Sequence, residues 1–113
     1  MKNDRVKVRC YYTDYVVHMI RFYLSTPGGL DLQKRDYSAS SIANWSAVQM
    51  VFNRMGADDK KLVIDVFGCG HYLPKAVDVY CDKNGIDTDE GKDNVYRVMT
   101  RVFAKIARVR GLM

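Results

Sequence analysis

Cys69, Gly70 and His71, with Cys81 further along, are the residues whose types suit a metal ion or a nucleophile. A closed zinc site takes four Cys or His ligands from paired motifs, and one Cys-Gly-His with a single distant Cys does not give that spacing. His18 stands among aromatic residues in a run that reads as helix, which fits a packed histidine better than a ligand. Pro27-Gly28-Gly29 and Gly68-Cys69-Gly70 are glycine-rich, yet both read as helix-ending punctuation, without the preceding strand and the lysine of a phosphate-cradling loop. No nucleophile-elbow or zinc-protease pattern occurs either. The sequence therefore predicts no enzyme, no metal and no cofactor.

A second constellation lies near the C-terminus. Arg97, Arg101, Lys105 and Arg108 recur at i, i+4, i+8 and i+11, the spacing of one helix face. Val95, Met99, Val102, Phe103, Ile106 and Val109 recur on another face and form an apolar stripe. From Asn94 to Met113 there is no Asp or Glu, so the basic face has no internal i,i+4 ion pairs. Like charges at that spacing cost a few tenths of a kcal/mol, roughly, per pair. Basic residues also oppose the dipole at a helix C-terminus and keep a surface solvated, which is the competing explanation. Charge is concentrated at the ends: residues 1–9 carry net +3, residues 10–91 net −3 and residues 92–113 net +5. That asymmetry points to an anionic partner.

The chain that must position these residues has 113 of them, 48% apolar and 27% charged, the size and composition of one folded domain. No apolar run approaches the roughly 20 residues of a membrane span. The first residues lead into no apolar stretch with a cleavage site, and three unpaired cysteines fit a reducing compartment, so the expected location is the cytoplasm. Apolar periodicity predicts five helices: Tyr11 to Leu24, stopped by Pro27-Gly28-Gly29; a second capped by Ser38, Ser40 or Ser41 and ending at Gly56; a third opened by Asp58 and Asp59 and closed at Gly68; a short fourth with Pro74 in its first turn and Asn84-Gly85 at its end; and a fifth running to Arg110, terminated by Gly111. VKVRCYY alternates briefly, but no second strand is at hand to pair with it. The expected architecture is one compact all-α domain, residues 1–56 forming a helical pair and 57–113 a second half. Tyr11, Tyr12, Tyr15, Phe22 and Tyr23 could stack on bases, though their helical spacing fits core or a dimer face better.

The fourth helix, the turn at Asn84-Gly85-Ile86 and the long basic fifth helix read as a helix-turn-helix supported by the third. From about residue 60 to the end the chain resembles region 4 of bacterial sigma factors and the small sigma-like regulators of phages and mobile elements of Gram-positive bacteria. Ala76, Tyr80, Asn84-Gly85-Ile86, Val95-Tyr96-Arg97 and the ending from Lys105 to Leu112 carry that resemblance, with Phe22-Tyr23-Leu24 and Trp45, Val48, Gln49 and Val51 in the first half. Against that family, Gly91-Lys92-Asp93-Asn94 looks inserted, which would start the fifth helix as late as Lys92.

The resemblance implies a non-catalytic transcription regulator that binds double-stranded DNA, with RNA polymerase as a further partner. Asn94, Arg97 and Arg101 would face the groove, and Lys92, Lys105 and Arg108 would contact flanking phosphates. Arg108 and Arg110 have an alternative, an acidic surface on a protein partner. The competing function is a non-catalytic interaction module in which the first two helices form a homodimer face and the basic helix is only solvated.

Overall fold

The computed structural model describes residues 13–31 and 36–112, which form five α-helices and no strand. They are α1 (Thr13–Leu24), α2 (Ala39–Arg54), α3 (Ala57–Phe67), α4 (Leu73–Lys83) and α5 (Asp89–Arg110). The protein is all-α, as the periodicity predicts. Tyr11, Tyr12 and the short alternating stretch at the start lie outside the described residues.

Each boundary has a local cause. Ser38 caps α2, its hydroxyl accepting from the Ser41 amide at 3.0 Å, which selects one of the three predicted serines. Pro74 sits in the first turn of α4, where its missing N–H is no loss. At the end of α4, Gly85 takes φ +68°, and the Ile86 amide reaches back to the Cys81 carbonyl at 2.9 Å. At the end of α5, Gly111 takes φ +83°, with the Leu112 amide donating to the Ala107 carbonyl at 2.8 Å. Both ends are Schellman closures, in which a left-handed glycine lets the next apolar residue fold back onto the core.

The start of α5 corrects one expectation. The helix begins at Asp89 and not as late as Lys92, so Gly91 to Asn94 lie in its first two turns. Thr88 is the cap, its hydroxyl accepting from the Gly91 amide at 3.0 Å. A Cβ at Gly91 would come within 2.6 Å of a methyl group of Ile86, so this glycine is what lets the turn hydrophobe close over the helix start.

α5 is the central helix. α1 and α2 pack against each other and both against α5, and α3 and α4 do the same, so two helical pairs share one long helix. The buried residues form a single cluster drawn from all five helices, with Phe52, Met19, Phe103, Met99 and Ile106 among its largest members. Between the pairs, Arg21 of α1 donates to the Gly70 carbonyl at 2.7 Å and lies over the Phe67 ring at 5.1 Å. Tyr23 is held between Trp45 and Phe52, with ring centroids 5.1 and 5.3 Å away, so this aromatic faces its own neighbouring helix.

Three side chains depart from the predicted pattern. His18 is exposed instead of packed, because α1 turns it away from the Val16, Met19 and Ile20 row that meets the core. Val109 is 43% exposed, since the apolar arc of α5 is centred nearer Met99 and Phe103 than the predicted stripe. Tyr96 and Ala107 take the other edge of that arc and are buried. Phe103→Ala is accordingly expected to cost about 3–5 kcal/mol in urea denaturation, whereas Val109→Ala stays within about 0.5 kcal/mol.

Burial pushes the Tyr96 phenol up from its ordinary 10.0 to about 12, with Asp78 of α4 adding to the shift. The unfolded chain gives up this proton first, so the stabilising contribution is complete below pH 10 and is lost as pH climbs toward about 12. Urea midpoints should fall between about pH 9 and pH 11.5, and fall less in Tyr96→Phe. A wild-type midpoint that rises over this window contradicts the burial.

Candidate nucleic-acid interface

The packing of α5 decides which of its residues reach solvent. At about 100° per residue, Val95, Met99, Val102, Phe103, Ile106 and the flanking Tyr96 and Ala107 span an arc of about 140°, all of it buried. On the opposite side Asn94, Arg97, Arg101, Lys105 and Arg108 fall within an arc of about 80°, and every one is exposed. From Arg97 to Arg108 the row is about 16 Å long at 1.5 Å per residue. Five of the six predicted contact residues thus share one face of one helix.

Lys92 is the sixth and stands apart. It is half-buried on the core-facing side, across α5 from the cationic row. Burial pushes the thiol of Cys81 on α4 up, and Lys92 opposes that rise from across the α4–α5 contact.

The row is less uniformly repulsive than its sequence implies. Arg101 donates to Asp59 of α3 at 3.0 Å, a pair between two exposed side chains. Arg97 donates to Asn94 at 3.1 Å, one turn back on α5. Neighbouring helices therefore supply what the helix itself lacks: an acid from α3 beside Arg101, and an added cation, Arg54, from the end of α2 beside Lys105 and Arg108. Among the described residues, no acid forms an ion pair with Lys105 or Arg108. The two halves of α5 also differ in sign, with Asp89, Glu90 and Asp93 in its first turns and basic residues alone from Arg97 onward.

Arg110 belongs to a different assembly. Its Nε donates to Asn44 Oδ1 at 2.6 Å, and one of its terminal nitrogens donates to Ser40 Oγ at 3.2 Å. Asn44 in turn donates to the Tyr15 hydroxyl at 2.9 Å. Asn44 is the buried polar residue of the described core, and this chain of bonds ties α1, α2 and the end of α5 together. The Tyr15 phenol lies below its ordinary 10.0 because of the Asn44 bond first and Ser40 next, with the nearby Arg110 charge contributing. The Arg110 guanidinium thus has partners within the fold, Asn44 and Ser40, that the sequence reading does not foresee. The one signal in the sequence that points here is Asn44 itself, a polar residue on the Val48, Val51 and Phe52 row of α2.

Around the α3–α4 connection, Cys69 packs against the core, His71 is exposed and Cys81 is wholly buried. No group of three His, Cys, Asp or Glu gathers among the described residues in a way that would hold a metal ion. No helix of the described residues is long and apolar enough to cross a membrane.

Comparison with protein families, with curated proteins and with solved structures finds no match to this chain.

Asn44→Ala leaves the Arg110 guanidinium and the Tyr15 hydroxyl short of a partner. It is expected to cost about 1–3 kcal/mol in chemical denaturation, against a change within about 0.5 kcal/mol for exposed Arg97→Ala.

Proposed function

We propose that the protein binds double-stranded DNA through the solvent face of α5 and acts as a transcription regulator of the sigma-region-4 kind. The observation that carries this reading is the row of Arg97, Arg101, Lys105 and Arg108, exposed together on a helix whose other side is fixed by four neighbours. A rigid row of cations matches the regular negative charge of a duplex, and the major groove, about 12 Å wide, admits an α-helix. The mutual packing of α3, α4 and α5, with a five-residue connection between Lys83 and Asp89, is compatible with a helix-turn-helix.

The sign reversal along α5 shapes the expected mode of contact. A recognition helix of this motif reads bases with its N-terminal residues, and here those turns carry Asp89, Glu90 and Asp93. Contacts in this reading are therefore mainly to phosphates, made from Arg97 onward, with Asn94 and Arg97 nearest the bases. Lys92, on the far side of the helix, takes no part.

Fluorescence anisotropy with labelled mixed-sequence duplexes over a salt series tests this. Affinity should weaken steeply with salt, and Arg97→Ala combined with Arg101→Ala should reduce the slope of log affinity against log salt by roughly 0.9 for each phosphate that the variant no longer neutralises. An unchanged slope in a folded double variant removes α5 from the interface. Absence of binding at low salt sinks the DNA reading itself.

A further inference from the structure

Beside the cationic row, α2 and α5 enclose a groove of about 260 Å³. Met50, Met55 and Val109 provide an apolar surface along it, and Arg54, Lys105 and Arg108 stand around it. Met50 is 44% and Val109 43% exposed, so this surface is open to a partner and not sealed by the fold. Among the described residues no acid forms an ion pair with any of the three cations, and no acidic side chain lines the groove.

From this juxtaposition we infer that the α2–α5 groove is a docking site for an acidic amphipathic helix of a partner protein. Its apolar side chains rest on Met50, Met55 and Val109, and its carboxylates meet Arg54, Lys105 and Arg108. The occupant's charge follows from complementarity, since three unneutralised cations around an apolar floor favour a segment that is acidic at its edges and apolar along one row. Methionine suits such a floor, because its unbranched, polarisable side chain adapts to the shape laid on it. The chain's own segments outside the described residues make poor occupants on charge alone. Residues 1–9 carry net +3, and residues 32–35 include Lys34 and Arg35 with no acid. Duplex DNA matches the cations, but it presents scattered apolar groups such as thymine methyls where a helix lays down a continuous apolar row.

This site does not depend on the DNA reading. It shares Lys105 and Arg108 with the proposed duplex contacts, so an acidic helix seated here would displace DNA from the same face. The protein partner and the nucleic acid are thus competitors.

The probe is a fluorescein-labelled synthetic helix of about 15 residues with leucines at i, i+4, i+7 and i+11 and glutamates flanking them. Anisotropy should show saturable binding to the full chain. Met50→Ala combined with Val109→Ala should weaken it about tenfold and leave duplex affinity unchanged, because both residues are uncharged and neither belongs to the proposed duplex row. Replacing the peptide's glutamates by glutamine should weaken it comparably. Methyl resonances of Met50 and Met55 should shift on titration while those of buried Met19 and Met99 stay in place.

Absence of binding, or equal affinity for wild type and the double variant, overturns the inference. So does a concentration-dependent dimer in sedimentation that the double variant disperses, which would assign the groove to a second copy of this chain. A duplex affinity that falls with the peptide affinity would assign the groove to nucleic acid instead.

Discussion

Four helices bury the same face of α5, and that shared demand organises the molecule. α1 with α2 and α3 with α4 pack as pairs, and both pairs also pack on α5, whose buried face carries Val95, Met99, Val102, Phe103 and Ile106. A helix covered this way has one remaining free arc, and its residues must hold their positions because the buried side fixes rotation about the helix axis. The cationic row is exposed for the same reason that the core is dry. Substitutions on the two faces therefore report on different properties, stability on one and charge recognition on the other.

The helices are legible in the sequence because each carries its own local instructions. Ser38, Pro74, Gly85, Thr88 and Gly111 all act at the ends their types suggest, through cap bonds and left-handed turns that depend only on neighbours in sequence. The rotation of α5 is nearly as legible, since its apolar repeat spans the whole helix. The residues that depart from it lie at the edges of that arc, Val109 on one side and Tyr96 with Ala107 on the other. There a shift of one residue decides exposure, and only the placement of α2 and α4 sets it. His18 departs for a related reason: aromatic neighbours in sequence are not neighbours in space when a helix sends successive residues about 100° apart.

The electrostatic surroundings of the candidate interface are not legible in the same way. Asp59 meets Arg101 from 42 residues away, and Asn44 meets Arg110 from 66. Such pairings come from the meeting of helices, and no periodicity within α5 reports them. Sequence alone consequently overstates the charge of the row near Arg101, leaves Arg110 free, and does not bring Arg54 to the side of Lys105 and Arg108. It also groups Lys92 with the others by charge, although that residue sits on the opposite side of the helix. Charge type is visible in the sequence, and charge geometry requires the fold.

Trp45 is the single tryptophan of the chain, and its environment makes it an optical probe of one part of the molecule. Its indole N–H donates to the Thr26 hydroxyl at 2.8 Å, and the Tyr23 ring lies 5.1 Å away, close enough to pass excitation to it. Intrinsic emission therefore reports whether the turn after α1 is seated on α2, whereas far-ultraviolet dichroism sums over all five helices. If the two signals change together on denaturation, both pairs leave α5 in one cooperative step. If emission changes first, the N-terminal pair peels away from a core that α3, α4 and α5 still hold, and the cationic row would outlast half of the fold that frames it.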